Sequence, residues 1–394
     1  MEAMKEQLIK AVDARADELV QMADHIFDLK EVSYEEVQSS ALLEGYLEAN
    51  GFQVEKGVGE LPTAFRAVYQ QGEGGPSIGL LCEYDALASM GHGCAHHLQG
   101  PGIVGAACAI KEVLQDRPYR LVVYGTPGEE TTGGKITMVA NGCFQDIDVA
   151  LMIHGGDHTQ VDVKSMALVS VHVTFHGVAA HAAISPEKGR SALDAMVLMF
   201  NGTEFLREHI KEDSRIHYTV NEVPGAQNSV PALAKADYDL RSYNSLYLDE
   251  IIRRFENIVK GAALMTDTTY EIQYDTRFES KVPARHLNAL VMANAEAIHS
   301  PAMAPAREKT GSTDFGNVLF HVPGTCLRVA FVDSGTASHS EGFIRNGKME
   351  RAHAALLNGA KTIAMTACDL IEKPEEMEAV KAEFAANKAA MQEG

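Results

Sequence analysis

The hydrophobic pattern changes near residue 167, and this change limits the folds that the chain can adopt. Before it, short apolar runs alternate with helical segments at about 103–114 and 134–140; the runs are 78–82, 121–124 and 149–153. Continuous apolar strands that alternate with helices predict a mainly parallel sheet covered on both faces. After it, apolar residues at 169, 171, 173 and 175 alternate with polar ones. A period of two is typical of a half-exposed strand.

The segment after this half-exposed strand predicts an inserted second domain. Its expected elements are a helix, two strands, a helix and a strand, at about 192–210, 216–223, 234–241, 248–264 and 269–274. The resulting order, βαββαβ, is that of a ferredoxin-like α+β domain. We therefore expect a discontinuous α/β domain, 1–166 plus 284–394, interrupted by 167–283. Residues 5–50 are expected to form two helices.

Charge and composition exclude several classes of partner. The net charge is −20, and an acidic surface repels phosphate backbones, so we predict no nucleic-acid partner. There is no apolar stretch long enough to cross a bilayer, and the amphipathic N-terminus lacks a signal-peptide core. The six cysteines form no CxxC pairs. Such scattered thiols predict a reducing, cytoplasmic location rather than a disulfide framework.

Residues 83–97 concentrate side chains that bind transition metals. They hold Cys94, three histidines (His92, His96 and His97) and the carboxylates Glu83 and Asp85, directly after the apolar run 78–82. A lone cysteine is more often a small buried residue than a ligand. Cys94 with two nearby histidines in one loop favours a metal site.

Three later positions also follow apolar runs. Glu129 and Glu130 come after 121–124, His154 comes after 149–153, and His339 lies in a loop after 326–332. Alone, these would be a solvated turn, a strand-end histidine and a loop histidine. Ligands in open α/β sheets gather beyond the carboxyl ends of the strands, so their repeated placement predicts one shared site. Two adjacent carboxylates also suit a division of labour, in which one binds metal and the other takes a proton from water.

Several stretches together resemble a known family over nearly the whole chain: EYDAL (83–87), GHGCAHH (91–97), GTPGEETTGGK (125–135), ALMIHGGD (150–157), GVAAHAA (177–183), GRSALDA (189–195), NSVP (228–231) and GSTDFGN (311–317). The family is that of the dinuclear metallopeptidases and amidohydrolases, which contains aminoacylase, carboxypeptidase G, p-aminobenzoyl-glutamate hydrolase and the auxin-conjugate amidohydrolases. The chain is most similar to its Cys-Gly-His subgroup, in the p-aminobenzoyl-glutamate hydrolase and dipeptidase branch. The resemblance implies a phosphorylase/hydrolase-like catalytic domain of the zinc exopeptidase type with an inserted dimerisation domain.

The resemblance also implies residue roles. Glu129 matches the general base, Asp85 matches the acid that orients a ligand, and His181 matches a histidine that reaches a neighbouring subunit's site and stabilises the oxyanion. The implied ligands of two metal ions are Cys94, His96, Glu130, His154 and His339. They leave room for a bridging water.

The same comparison of motifs implies which residues meet the substrate. Asn228 matches a residue that contacts the substrate carboxylate, and Ser312 and Thr313 match a loop that lines the pocket. His97 stands where Asp or Asn is usual, so we expect it to add a ligand or to tune substrate choice. Glu83 and His92 are expected to be bystanders.

The predicted reaction is metal-dependent hydrolysis of an amide. Thiolate and imidazole ligands favour zinc, with manganese or cobalt as alternatives. The implied substrates are N-acyl or aryl-acyl amino acids, with dipeptide or carboxypeptidase cleavage as the alternative, in a homodimer or higher oligomer. Two rival classes stay open: a cysteine hydrolase with Cys94 as nucleophile, and a catalytically silent binding protein on the same fold.

Overall fold

The computed structural model describes residues 2–393, which divide into two compact units. The first unit contains the chain up to Ser165 and the segment Lys281–Ala389. The second contains Met166–Ser280 and the last residues from Ala390.

The first unit is built on eight strands: β1 (Gln53–Lys56), β2 (Phe65–Gln71), β3 (Ser77–Cys82), β4 (Tyr119–Gly125), β5 (Val149–Gly156), β6 (Gln160–Ser165), β11 (Arg307–Thr310) and β12 (Gly324–Ala330). Its helices are α1 (Glu2–Asp13), α2 (Ala16–Leu29), α3 (Val37–Ala49), α4 (Gln99–Val113), α5 (Gly134–Ala140), α8 (Arg285–Ala297), α9 (Phe315–Leu319), α10 (Glu341–Asn346), α11 (Glu350–Glu372) and α12 (Pro374–Glu393).

These strands form one sheet in the order β1-β2-β4-β3-β5-β12-β6-β11. Its four central strands, β4, β3, β5 and β12, are mutually parallel. Their side chains are buried almost throughout, because helices cover the sheet. Helix α4 packs closely behind the centre, since an added Cβ at Gly102 would lie 2.4 Å from the Ile153 side chain. The predicted mainly parallel α/β sheet is confirmed.

The second unit contains a four-stranded antiparallel sheet and two helices. In chain order its elements are β7 (Ala167–His176), α6 (Ala192–Glu208), β8 (Ser214–Glu222), β9 (Leu233–Ser242), α7 (Ser245–Thr266) and β10 (Thr269–Tyr274). The sheet order is β10-β7-β9-β8, so the predicted βαββαβ arrangement is confirmed. Buried and half-buried residues alternate along β7, as its sequence predicts. Both helices begin with a side-chain cap, Ser191 for α6 and Asn244 for α7.

Two details differ from the sequence-based expectation. Residues 5–50 form parts of three helices rather than two, because the first helix ends at Asp13 and the Arg15 side chain donates to the Ala11 carbonyl. Strands β1, β2, β6 and β11 were not predicted. The sequences of β1 and β11, QVEK and REKT, are polar and largely exposed at the two edges of the sheet. Within the described part of the chain, no helix is both long and apolar enough to span a membrane.

Candidate metal centre

The central strands bring the predicted ligands to one edge of the first unit's sheet. Residues 83–97 follow β3, Glu129 and Glu130 follow β4, His154 lies near the end of β5, and His339 lies in the loop after β12. Because these four strands are parallel neighbours, their carboxyl ends meet at the same edge.

Two overlapping groups of side chains converge there and share Cys94. In the first group, the ligand atoms of Cys94, His96 and His154 all lie within 4.8 Å of one another. In the second, Cys94, Glu130 and His339 meet the same limit. The Cys94 Sγ lies 3.5 Å from His154 Nε2, and His339 Nε2 lies 3.4 Å from Glu130 Oε2. We call these five residues the ligand cluster.

Two buried atoms of the ligand cluster lack hydrogen-bond partners. Among residues 2–393, neither His96 Nε2 nor Glu130 Oε1 has one. Leaving a buried polar atom unpaired costs free energy, so such atoms call for a further partner. A thiol, imidazoles and a carboxylate within ligand distance are the donor set that Zn²⁺ and similar ions bind. The residues therefore fit a divalent metal.

Hydrogen bonds fix the orientation of the imidazoles. Asp85 accepts the His96 Nδ1 proton at 3.0 Å, which leaves Nε2 free to face the cluster. The other Asp85 oxygen accepts from the Glu130 backbone N–H at 2.9 Å and from the Ser33 hydroxyl at 2.8 Å. One buried carboxylate thus holds two members of the ligand cluster, as carboxylates behind metal-binding histidines commonly do.

Local electrostatics keep His154 neutral. Burial, together with the Arg328 guanidinium, lowers the pKa of His154 to about 3. Its Nδ1 lies 2.7 Å from the Gly155 carbonyl and 3.2 Å from Arg328 Nη1. A neutral imidazole has a nitrogen lone pair to offer, which is the form that binds metal.

Glu129 lies beside the ligand cluster. One of its oxygens is within 4.8 Å of the ligand atoms of His96 and Glu130. Its Oε1 accepts from the Thr313 hydroxyl at 3.2 Å. Burial, together with the negative charges of Glu83 and Asp314, raises the pKa of Glu129 above the ordinary value for a carboxyl. A carboxylate with a raised pKa beside a metal-binding group suits a general base.

A second buried group was missed from the sequence. The Lys135 ammonium donates to Glu83 Oε1 at 2.6 Å and to Asp314 Oδ1 at 2.7 Å, and all three side chains are buried. We call these three residues the lysine cluster. Glu83 is thus no bystander, and its second oxygen lies 3.2 Å from His96 Nε2. The one signal in the sequence was an isolated lysine at the start of a short apolar helix, 134–140.

The prediction that His97 adds a ligand or meets the substrate is corrected. Its side chain is 0% exposed, and Nε2 lies 2.8 Å from the Gly347 carbonyl. The ring packs edge-on against Phe27 and 5.1 Å from the ring of His92. His97 is a packing residue beneath the loop because its neighbours enclose it completely. His92 is buried with it, as expected of a bystander.

The remaining predicted residues lie in loops. His181 and Asn228 belong to the second unit, where their segments pair: the Ala182 N–H donates to the Asn228 carbonyl. Ser312 precedes Thr313, and its hydroxyl is buried without a hydrogen-bond partner among the described residues. The roles of His181, Asn228 and Ser312 in catalysis or binding stay predictions.

Comparison with known proteins finds relatives that match this chain over both of its units. Residues 163–266 match the peptidase dimerisation domain of the M20 type. One of the p-aminobenzoyl-glutamate hydrolase polypeptides of Escherichia coli K12 is 33% identical, over 91% of this chain and 90% of its own. The mouse Xaa-Arg dipeptidase is 31% identical, over 98% of this chain and 93% of its own. The Bacillus subtilis YXEP protein, a dinuclear metal binding peptidase, shares the fold: its TM-score is 0.73 at 15% identity, over 91% of this chain and 99% of its own.

Proposed function

From the premise that this chain belongs to the M20 family of peptidases and is an amide-cleaving hydrolase, we propose that it hydrolyses N-acyl or aryl-acyl amino acids. The observation that carries the proposal is the convergence of the five residues of the ligand cluster beside Glu129. Cleavage of dipeptides, or of C-terminal residues from peptides, is the alternative within the same family.

The five residues of the ligand cluster would hold two divalent ions, in line with the two groups of ligand atoms that share Cys94. Bound ions would lower the pKa of a water molecule and polarise the amide carbonyl. The thiol and three imidazoles favour zinc over manganese or cobalt.

The residues around the ligand cluster would move the proton. Glu129 would take a proton from the attacking water and deliver it to the leaving amine nitrogen as the C–N bond breaks. Asp85 would keep His96 and the Glu130 backbone in place through its three hydrogen bonds. The half-buried Thr313 contacts Glu129, which supports a role near the base.

The substrate class rests on the relatives. One is named for p-aminobenzoyl-glutamate and another for Xaa-Arg dipeptides. Both substrates carry an amide bond to an amino acid with a free carboxylate. We rank N-acyl amino acids, including aryl-glutamates, above dipeptides, with Asn228 and Ser312 among the groups that would contact the substrate.

We further propose that the chain assembles as a homodimer through its second unit, with His181 acting on the neighbouring subunit's oxyanion. The matched dimerisation domain supports assembly. A mixed oligomer is the competing case, since two relatives are named as different subunits of a p-aminobenzoyl-glutamate hydrolase. Mixing His181→Ala with Glu129→Ala chains tests the homodimer: hybrids should regain activity, and no regain would contradict the role of His181.

The cysteine-hydrolase rival fits the site less well. Burial raises the pKa of the Cys94 thiol to about 12, so without a metal it would be un-ionised and a poor nucleophile at neutral pH. The six cysteines are unpaired, which supports a reducing, cytoplasmic location.

The test is an assay of chelated and reloaded protein. Protein stripped with EDTA and reloaded with Zn²⁺, Mn²⁺ or Co²⁺ should hydrolyse members of a panel of N-acyl amino acids, p-aminobenzoyl-glutamate and Xaa-Arg dipeptides. Activity that survives chelation but is lost to iodoacetamide would favour the cysteine hydrolase. A panel that binds without being cleaved would favour the silent binding protein.

A further inference from the structure

The loop before α9 connects the lysine cluster to the proposed general base. Asp314 accepts both from the Lys135 ammonium and from the Lys135 backbone N–H, at 2.7 and 3.0 Å. The neighbouring residue, Thr313, is the one whose hydroxyl contacts Glu129. The anchoring of Asp314 therefore fixes the position from which Thr313 reaches the base.

The anchor is tightly packed. An added Cβ at Gly133 would lie 2.8 Å from the Asp314 Cβ, and Gly133 has a φ of +77°, which a residue with a side chain rarely adopts. Lys135 also bonds Glu83, which is buried at the end of β3. The loop before α9 is thus held to the start of α5, and through Lys135 to the end of β3, by fully buried ion pairs.

The direction of the Thr313 hydroxyl is set by a second hydrogen bond. The Phe315 backbone N–H donates to Thr313 Oγ1 at 3.3 Å. Because this donor occupies a lone pair of Oγ1, the hydroxyl proton is free to point at Glu129 Oε1, 3.2 Å away. A hydroxyl has one proton to donate, and here it is committed to one carboxylate oxygen.

We propose that Thr313 is a positioning residue for the base. Its hydroxyl donates a hydrogen bond to Glu129 Oε1, so that Oε2 is the oxygen through which Glu129 takes the proton from water. This inference rests on the proposed function, in which Glu129 is the base. Lys135 and Asp314 act through Thr313 by holding the loop that carries it. Thr313 neither binds a metal nor touches the reacting atoms, so its loss acts on the chemical step rather than on metal content or substrate affinity.

The experiment compares Thr313→Val with Thr313→Ser. Each tenfold change in rate corresponds to about 1.4 kcal/mol of barrier, and a misplaced base oxygen should cost one to two such steps, so Thr313→Val should lower kcat about 10- to 100-fold. KM should change less than about twofold, metal content should stay at the wild-type value, and Tm should fall no more than it does in the Thr362→Val control. Thr313→Ser keeps the hydroxyl and should recover kcat to within about threefold of wild type. Thr362→Val is the matched control: it deletes a buried hydroxyl that bonds only the Asn358 carbonyl in α11, and should leave kcat unchanged.

Three outcomes would overturn the inference. They are a Thr313→Val kcat within twofold of wild type, a kcat loss that parallels loss of metal or of Tm, and a Thr313→Ser variant as impaired as Thr313→Val. Wild-type protein that cleaves nothing in the panel would overturn the proposed function and this inference with it. An active wild type with an unaffected Thr313→Val would overturn this inference alone.

Discussion

Two groups of buried polar side chains, the lysine cluster and the ligand cluster, lie side by side at the carboxyl ends of the central strands. They differ in whether the group contains its own cation. The lysine cluster supplies its own cation, since Lys135 lies within 2.7 Å of an oxygen of both Glu83 and Asp314. The ligand cluster contains no lysine or arginine, and His96 Nε2 and Glu130 Oε1 have no hydrogen-bond partner among the described residues, although Glu83 Oε2 lies 3.2 Å from His96 Nε2. The first is complete without additions, whereas the second has the donors and the unpaired atoms of a site that takes up a cation.

Glu129 lies next to both the ligand cluster and the lysine cluster. It lies within 4.8 Å of ligand-cluster atoms on one side and of Glu83 and Asp314 on the other. Burial raises the pKa of Glu129, and the negative charges of Glu83 and Asp314 raise it further, against the opposing charge of Lys135. The two clusters would therefore have different tasks: the ligand cluster would hold ions, and the lysine cluster would hold the loops and tune the pKa of Glu129 between them.

The largest expected effect follows from removing the base. Glu129→Gln should lower kcat about 100- to 10,000-fold, the usual contribution of a positioned general base, because the amide cannot take the proton. Metal content, measured by elemental analysis, should be unchanged, and the melting temperature should not fall. Near-wild-type turnover would remove Glu129 from the mechanism, and loss of metal would move it into the ligand cluster.

The next effect tests whether the lysine cluster is structural. Lys135→Met leaves two buried carboxylates without a cation and should cost about 3–5 kcal/mol in the free energy of unfolding, measured by urea denaturation of the metal-free protein. Lys348→Met is the control, since the exposed ion pair of Lys348 with Asp28 should contribute little. Equal stability of the two variants would show that the lysine cluster does not hold the fold together.

The smallest effect concerns an exposed charge group in the second unit. His172 lies between Asp237 and Asp275, at 2.7 and 3.1 Å, and hydrogen bonds to these two carboxylates raise its pKa. A raised histidine pKa gives a stabilisation that is fully present below the unfolded pKa of about 6.5, and lost as pH rises through the folded value.

His172→Gln should therefore lower the melting temperature slightly at pH 6 and not at pH 9. The effect should be far smaller than that of Lys135→Met, because water screens this group. A decrease in melting temperature as large as that caused by Lys135→Met, or a decrease that grows as pH rises, would contradict the comparison between buried and exposed charge.

Much of the fold was predictable because its signals are local. The apolar runs of β3, β4 and β5 and the alternation along β7 are short-range patterns, and the structure confirms them. The family prediction is confirmed as well. Edge strands such as β11 were missed, because a strand without a buried face has no hydrophobic period to recognise.

The site was predictable only in part, for a similar reason. The residues of the ligand cluster stand in recognisable motifs at strand ends. Lys135 and Asp314 are 179 residues apart in sequence, and no motif around either residue indicates that they form an ion pair. His97 was misjudged because its place in the motif, where Asp or Asn is usual, suggested a ligand or a substrate contact, whereas the short 3₁₀ turn His96–Leu98 places its ring in the core.

The central claim is that the ligand cluster would hold two divalent ions that hydrolysis requires, and metal stoichiometry measured with activity tests it most directly. Elemental analysis of reloaded wild type, Cys94→Ser and the Lys348→Met control, each assayed for hydrolysis, would give ions per chain and activity together. The account predicts two ions in wild type and control, fewer in Cys94→Ser, and activity that rises with occupancy. A fully active wild type that holds one ion per chain, or a metal-free wild type that keeps full hydrolytic activity, would contradict it.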